Sequence, residues 1–128
     1  MATTTGLKRM SLVCVPTPDQ DTAVAFYERL GFEKRRDEPF GGGNRWIEMY
    51  LPESATGIAL TPPPPGQTVT PMVTGITLTT DDIDATHAAL RSRGVDVDAE
   101  VSRLGGPVPP LFWFRDPSGH TLMVVEQR

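Results

Sequence analysis

Cysteine is almost absent from this chain of 128 residues: Cys14 stands alone, which excludes an intramolecular disulfide and any cysteine-rich zinc site. Histidine is equally scarce, with only His87 and His120, so a metal site would need help from carboxylates. No apolar run approaches the ~20 residues of a membrane span, and the opening MATTTGLKRM lacks the apolar stretch of a signal peptide. A cytoplasmic protein with no membrane partner is the expectation. Positive charge is also in short supply: 12 Lys and Arg stand against 16 Asp and Glu, for a net charge of −4. That balance supplies no basic field for nucleic acid. The one cationic cluster, Lys34, Arg35 and Arg36, reads as the solvated face of a strand.

What is present is an ordinary globular composition, 38% hydrophobic and 22% charged. The length suits one domain, or two half-sized modules sharing a core, since either half alone would bury too little surface. The closing stretch, LFWFRDPSGHTLMVVE, reads as a hairpin in which two β-prone arms flank Asp116, Pro117, Ser118 and Gly119. Each turn residue has a mechanical role: Pro117 sets φ, Asp116 bonds the backbone ahead of it, and Gly119 accepts positive φ.

Residues 9–15 form the first expected strand, with Cys14 a small core residue within LVCV. Thr17 is the expected helix cap, with Pro18 at the first helical position and Gln20 completing a capping box. Ala23, Phe26, Tyr27 and Leu30 recur at helical spacing, and Gly31 closes the helix. Strands are expected over residues 32–36, 45–51 and 57–61, with Gly41, Gly42 and Gly43 as a flexible hairpin or site loop. No Lys-Ser/Thr follows these glycines, so they are no phosphate loop. Pro62 to Pro65 form a semi-rigid bridge. The plan then repeats: a strand over residues 73–79, a helix capped by Asp81 or Asp82 and closed at Gly94, a strand over 95–101, and the final hairpin. The expected division is a first βαβββ module over residues 1–63, a linker over 64–72 and a second βαβββ module over 73–128. His87 and His120 read as structural, and Arg45 and Arg115 as surface charges that an anionic ligand group would otherwise claim.

The phrase VPTPDQDTAVAFYERLGF, the repeated βαβββ plan and FRDPSGHTLMVVE together resemble the vicinal oxygen chelate superfamily, which holds glyoxalase I, extradiol dioxygenases and bleomycin resistance proteins. The resemblance implies an α/β (α+β) fold in which two paired modules form a curved, mostly antiparallel eight-stranded sheet around a pocket. It also implies a homodimer with paired or exchanged modules, and for the enzymes of the superfamily a divalent metal held by His, Gln or Glu. The metal positions fall here on Leu12, Ala59, Gly75 and Met123, none of which is an ordinary ligand to a hard or borderline metal.

Strand alternation assigns Val13, Val15, Ile47, Met49, Ile58, Leu60, Ile76, Leu78, Leu122 and Val124 to the core face. The pocket face then carries Leu12, Cys14, Trp46, Glu48, Tyr50, Ala59, Thr77, Thr79, Trp113, Met123 and Val125. Glu48 is the candidate catalytic residue, a base with a raised pKa or the counter-charge of a cationic ligand; the alternative is a solvated residue at a sheet edge. The leading expectation is a small-molecule-binding protein of the glyoxalase/bleomycin resistance type, without metal or other cofactor, that sequesters an aromatic or cationic ligand. The alternative is a metal-dependent or metal-independent lyase, isomerase or dioxygenase of the same superfamily.

Overall fold

The computed structural model describes residues 5–127; the first four residues of the expected first module, and Arg128, lie outside the described residues. The chain runs β1 (Leu12–Pro16), α1 (Gln20–Arg29), β2 (Glu33–Gly41), β3 (Asn44–Tyr50), β4 (Gly57–Thr61), β5 (Val73–Thr80), α2 (Ile83–Ser92), β6 (Asp96–Val97), β7 (Leu111–Arg115) and β8 (Thr121–Glu126). This is an α+β fold of two paired βαβββ units. Its strands lie in two four-stranded mixed sheets, ordered β1-β4-β3-β2 and β5-β8-β7-β6. Each sheet has one parallel pair, β1 with β4 and β5 with β8, and is otherwise antiparallel.

The helix starts follow from carboxylate caps. Asp19 and Asp82, both in extended conformation, accept from the backbone N–H of Thr22 and Ala85. The first cap is therefore Asp19 and not Thr17. Thr17 is buried, and its hydroxyl turns toward Asp19 O and the Ser118 hydroxyl. Gln20, expected to close a capping box, instead ties the helix to the sheet: its amide donates to Arg45 O at 2.6 Å and Leu60 O at 2.9 Å and accepts from Arg45 N–H.

β2 is longer than expected because Gly42 and Gly43, with φ of 63° and 78°, make a tight two-residue turn that lets the ladder run out to Gly41 and Asn44. Its mostly exposed sequence, EKRRDEPFG, carries ion pairs and a proline, features that discourage a further strand from adding to this edge. β6 is shorter than the expected 95–101 strand. The Asp98 carboxylate takes the Trp113 N–H at 3.0 Å and also binds Arg115, which diverts the chain from the ladder until Ser102 meets Leu111 again.

One hydrophobic cluster serves both sheets. Val15, Ile47, Met49, Ile58 and Leu60 from the first and Phe112, Phe114, Leu122 and Val124 from the second pack with Phe26, Tyr27 and Phe32 and with Ile83 and Leu90. The alternation of the core face is as expected, with Val13, Ile76 and Leu78 partly buried at its margin. Cys14 is exposed, not a core residue: on edge strand β1 it alternates with Val13 and Val15 and so faces away from the cluster.

The DPSG turn fastens the two halves. Asp116 Oδ1 accepts the N–H groups of Ser118 and His120, and Oδ2 accepts the Tyr27 hydroxyl at 2.8 Å. His120 is fully buried; Nδ1 accepts the Met72 N–H, so Nε2 carries the proton and donates to Pro16 O at 2.7 Å. His87 is likewise structural, with Nε2 at 2.7 Å from Asp98 O and its ring edge-on to Phe112.

Candidate functional site

Because both sheets turn their apolar faces to one shared core, their other faces look away from it. On the first sheet, register sets Cys14 beside Ala59 and Ala59 beside Glu48, with Trp46 and Tyr50 on the same face at two-residue spacing and Leu12 beside Gly57. On the second, Thr77 and Trp113 both flank Met123, and Thr79 and Leu111 flank Val125. The candidate residues thus gather into two walls, one per sheet. Trp46, Glu48, Tyr50, Trp113 and Met123 are half-buried, Thr77 and Thr79 are exposed, and Ala59 is covered by its neighbours.

Glu48 is engaged on both oxygens. Oε2 accepts the Trp46 indole N–H at 2.7 Å, Oε1 accepts the Tyr50 hydroxyl at 3.1 Å, and Arg36 Nη1 lies 3.6 Å from Oε2. Loss of water around Tyr50, and then the Glu48 acceptor and its charge, raise the Tyr50 pKa, with Arg35 working in the other direction. The Arg35 guanidinium lies 4.7 Å from the centre of the Tyr50 ring. Arg45 is held by Asp37 and Asp21, and Arg115 by Asp96 and Asp98.

The side chains at the metal positions implied by the resemblance offer no carboxylate or imidazole. Gly75 lies in an irregular part of β5, with φ of 77°, between the paired residues Val73 and Thr77. Cys14 and Glu48 stand beside Ala59, and Thr77 and Trp113 beside Met123. The one carboxylate among them, Glu48, is held by Trp46, Tyr50 and Arg36, and a thiol, a hydroxyl and a thioether do not complete a site for a hard metal. Among the described residues no three His, Cys, Asp or Glu side chains are grouped to hold an ion.

A separate cleft of about 390 Å³ opens between the modules on the core side, where Val13, Phe32, Leu51, Ile58, Ile76 and Leu78 meet. Thr77 of the pocket-face candidates and Gly75 of the implied metal positions line it. Sequence reasoning missed Arg35, Arg36 and Gly57. Cross-strand pairing brings Arg36 opposite Glu48, and Gly57 leaves the space that the Tyr50 ring occupies.

Two four-stranded mixed sheets built from paired βαβββ units, each with an outward face, define a paired-module α+β class. Residues 9–124 match the Glyoxalase/Bleomycin resistance protein/Dioxygenase superfamily, and the chain belongs to it. It is similar to the solved structure of TnmS3, an antibiotic binding protein from Streptomyces sp. CB03234, at 30% identity and a TM-score of 0.81 over 98% of this chain and 100% of that one. A superfamily member from Sphaerobacter thermophilus DSM 20745 gives 30% identity and a TM-score of 0.81, covering 94% of this chain and 98% of its own. Among curated proteins, the uncharacterized protein YetH of Bacillus subtilis (strain 168) is 24% identical over 94% of this chain and 99% of its own length. No helix among the described residues is long and apolar enough to cross a membrane.

Proposed function

We propose that this protein binds and sequesters a small organic molecule, without metal or other cofactor. Two copies of the chain complete the pocket, the Trp46 wall of one facing the Trp113 wall of the other. The observation that carries this reading is the likeness to an antibiotic binding protein, 30% identical across nearly the whole of both chains. The walls support it: two tryptophans, Tyr50 and Met123 favour a planar aromatic or cationic guest. Unpaired outer edges on β1 and β5 are where a second copy would continue each sheet. The single reduced cysteine suits a cytoplasmic site of action.

The test is a calorimetric titration with a panel of aromatic and cationic antibiotics, with sedimentation of the protein alone and mass analysis of the recovered ligand. Saturable binding by a dimer that returns the ligand unchanged is the expected result. Chemical alteration of the ligand overturns sequestration, and absence of binding across the panel overturns the ligand-binding reading itself.

A further inference from the structure

Glu48 occupies the middle of the first sheet's outer wall and its side chain is 14% exposed, yet it is not an open counter-charge. Trp46 N–H and Tyr50 O–H each occupy one of its oxygens, and Arg36, its partner across the ladder, stands beside Oε2. Arg36 also pairs with Glu38, Arg35 with Glu33, and Arg115 on the second wall with Asp96 and Asp98. Each charged group bordering the walls in this set therefore already has a partner of opposite sign. Trp46, Tyr50 and Arg36 together take up most of the acceptor sites of the carboxylate, so a cation approaching Glu48 meets a charge already balanced by Arg36 and must compete with that guanidinium for the little that is left. A neutral ring displaces nothing and meets two aromatic planes held by a common acceptor, so little ordering is left to do on binding.

We propose, resting on the ligand-binding reading, that Glu48 is a positioning residue that locks Trp46 and Tyr50, and that this wall selects an uncharged planar aromatic molecule over a cationic one of the same shape. Glu48→Gln separates the two roles. Its amide oxygen accepts from Trp46, while its NH₂ donates to the Tyr50 hydroxyl oxygen, so both hydrogen bonds survive with the charge removed. Glu48→Leu keeps similar bulk and neither bond.

The experiment is calorimetry at pH 7 with two probes on one ring system, 2-naphthol and the cationic 2-naphthylmethylamine, on wild type and both variants. The expected result is 2-naphthol binding about tenfold tighter than the amine, retained within about twofold by Glu48→Gln and weakened about tenfold by Glu48→Leu. Should Glu48→Leu not fold, Glu48→Gln decides alone. Tighter binding of the amine, lost in Glu48→Gln, overturns the inference while leaving the ligand-binding reading intact. Binding of neither probe by wild type overturns the inference as well, and the antibiotic panel then decides separately whether the ligand-binding reading falls with it.

Discussion

The Tyr27 hydroxyl on α1 donates to Asp116 Oδ2 in the turn between β7 and β8 at 2.8 Å, joining two halves of the chain through a buried polar contact. Tyr27→Phe removes that donor from an enclosed carboxylate whose other oxygen keeps its backbone partners. The expected loss is about 1–3 kcal/mol. Thermal unfolding should register it at about 4 °C per kcal/mol for a chain of this size.

The same contact sets an alkaline limit. Burial first, then the charge and hydrogen bond of Asp116, raise the Tyr27 pKa well above its ordinary 10.0. A folded-state pKa above the unfolded one gives stability that is complete below about pH 10 and is lost as pH rises beyond it, because the unfolded chain ionises more easily. Urea unfolding across pH 8–11 should show this decline, and Tyr27→Phe should flatten it.

Gly57 supports the first wall by having no side chain. A Cβ there would lie 2.6 Å from Tyr50 Cε2 and 2.8 Å from the Met49 carbonyl oxygen. The Tyr50 ring can swing away, but the carbonyl belongs to a paired strand. Gly57→Ala should therefore cost about 1–3 kcal/mol by denaturant unfolding and also disturb the Tyr50–Glu48 contact, weakening ligand binding.

If the two walls meet across a dimer, Trp46→Ala and Trp113→Ala should each abolish ligand binding alone and restore part of it when mixed. A heterodimer carries one doubly altered pocket and one native pocket. Random exchange should return on the order of a quarter of wild-type capacity by titration. No recovery in chains shown to exchange would place the site within one chain.

Metal removal should change nothing. Dialysis against a chelator is expected to leave both the unfolding temperature and ligand affinity of wild type unaltered, since the one carboxylate beside Ala59, that of Glu48, is held by Trp46, Tyr50 and Arg36, and Cys14 and Thr77 add only a thiol and a hydroxyl. A fall in either quantity, reversed by one divalent metal, would contradict the metal-free reading.

Local chemistry made much of this protein legible in advance. Apolar alternation identified the core face of most strands, since one register places a whole set of side chains on one side. Gly31 and Gly94 close both helices at positive φ, and Asp116-Pro117-Ser118-Gly119 turns the last hairpin. Errors came where a neighbour distant in sequence intervened. Ser118 engages Thr17 and leaves capping to Asp19, while Asp98 diverts β6 by reaching Trp113 and Arg115.

The same division holds for the candidate wall. Sequence alone determined that Trp46, Glu48 and Tyr50 share one side of a strand, because side chains alternate with a period of two. It also determined that Leu12, Ala59, Gly75 and Met123 bring no hard-metal ligand. Only the tertiary structure decided that Glu48 is occupied by its own neighbours and Arg36, and that Cys14 is exposed. Those outcomes depend on rotamers, on cross-strand register and on which sheet face meets the shared core, and no local pattern encodes them.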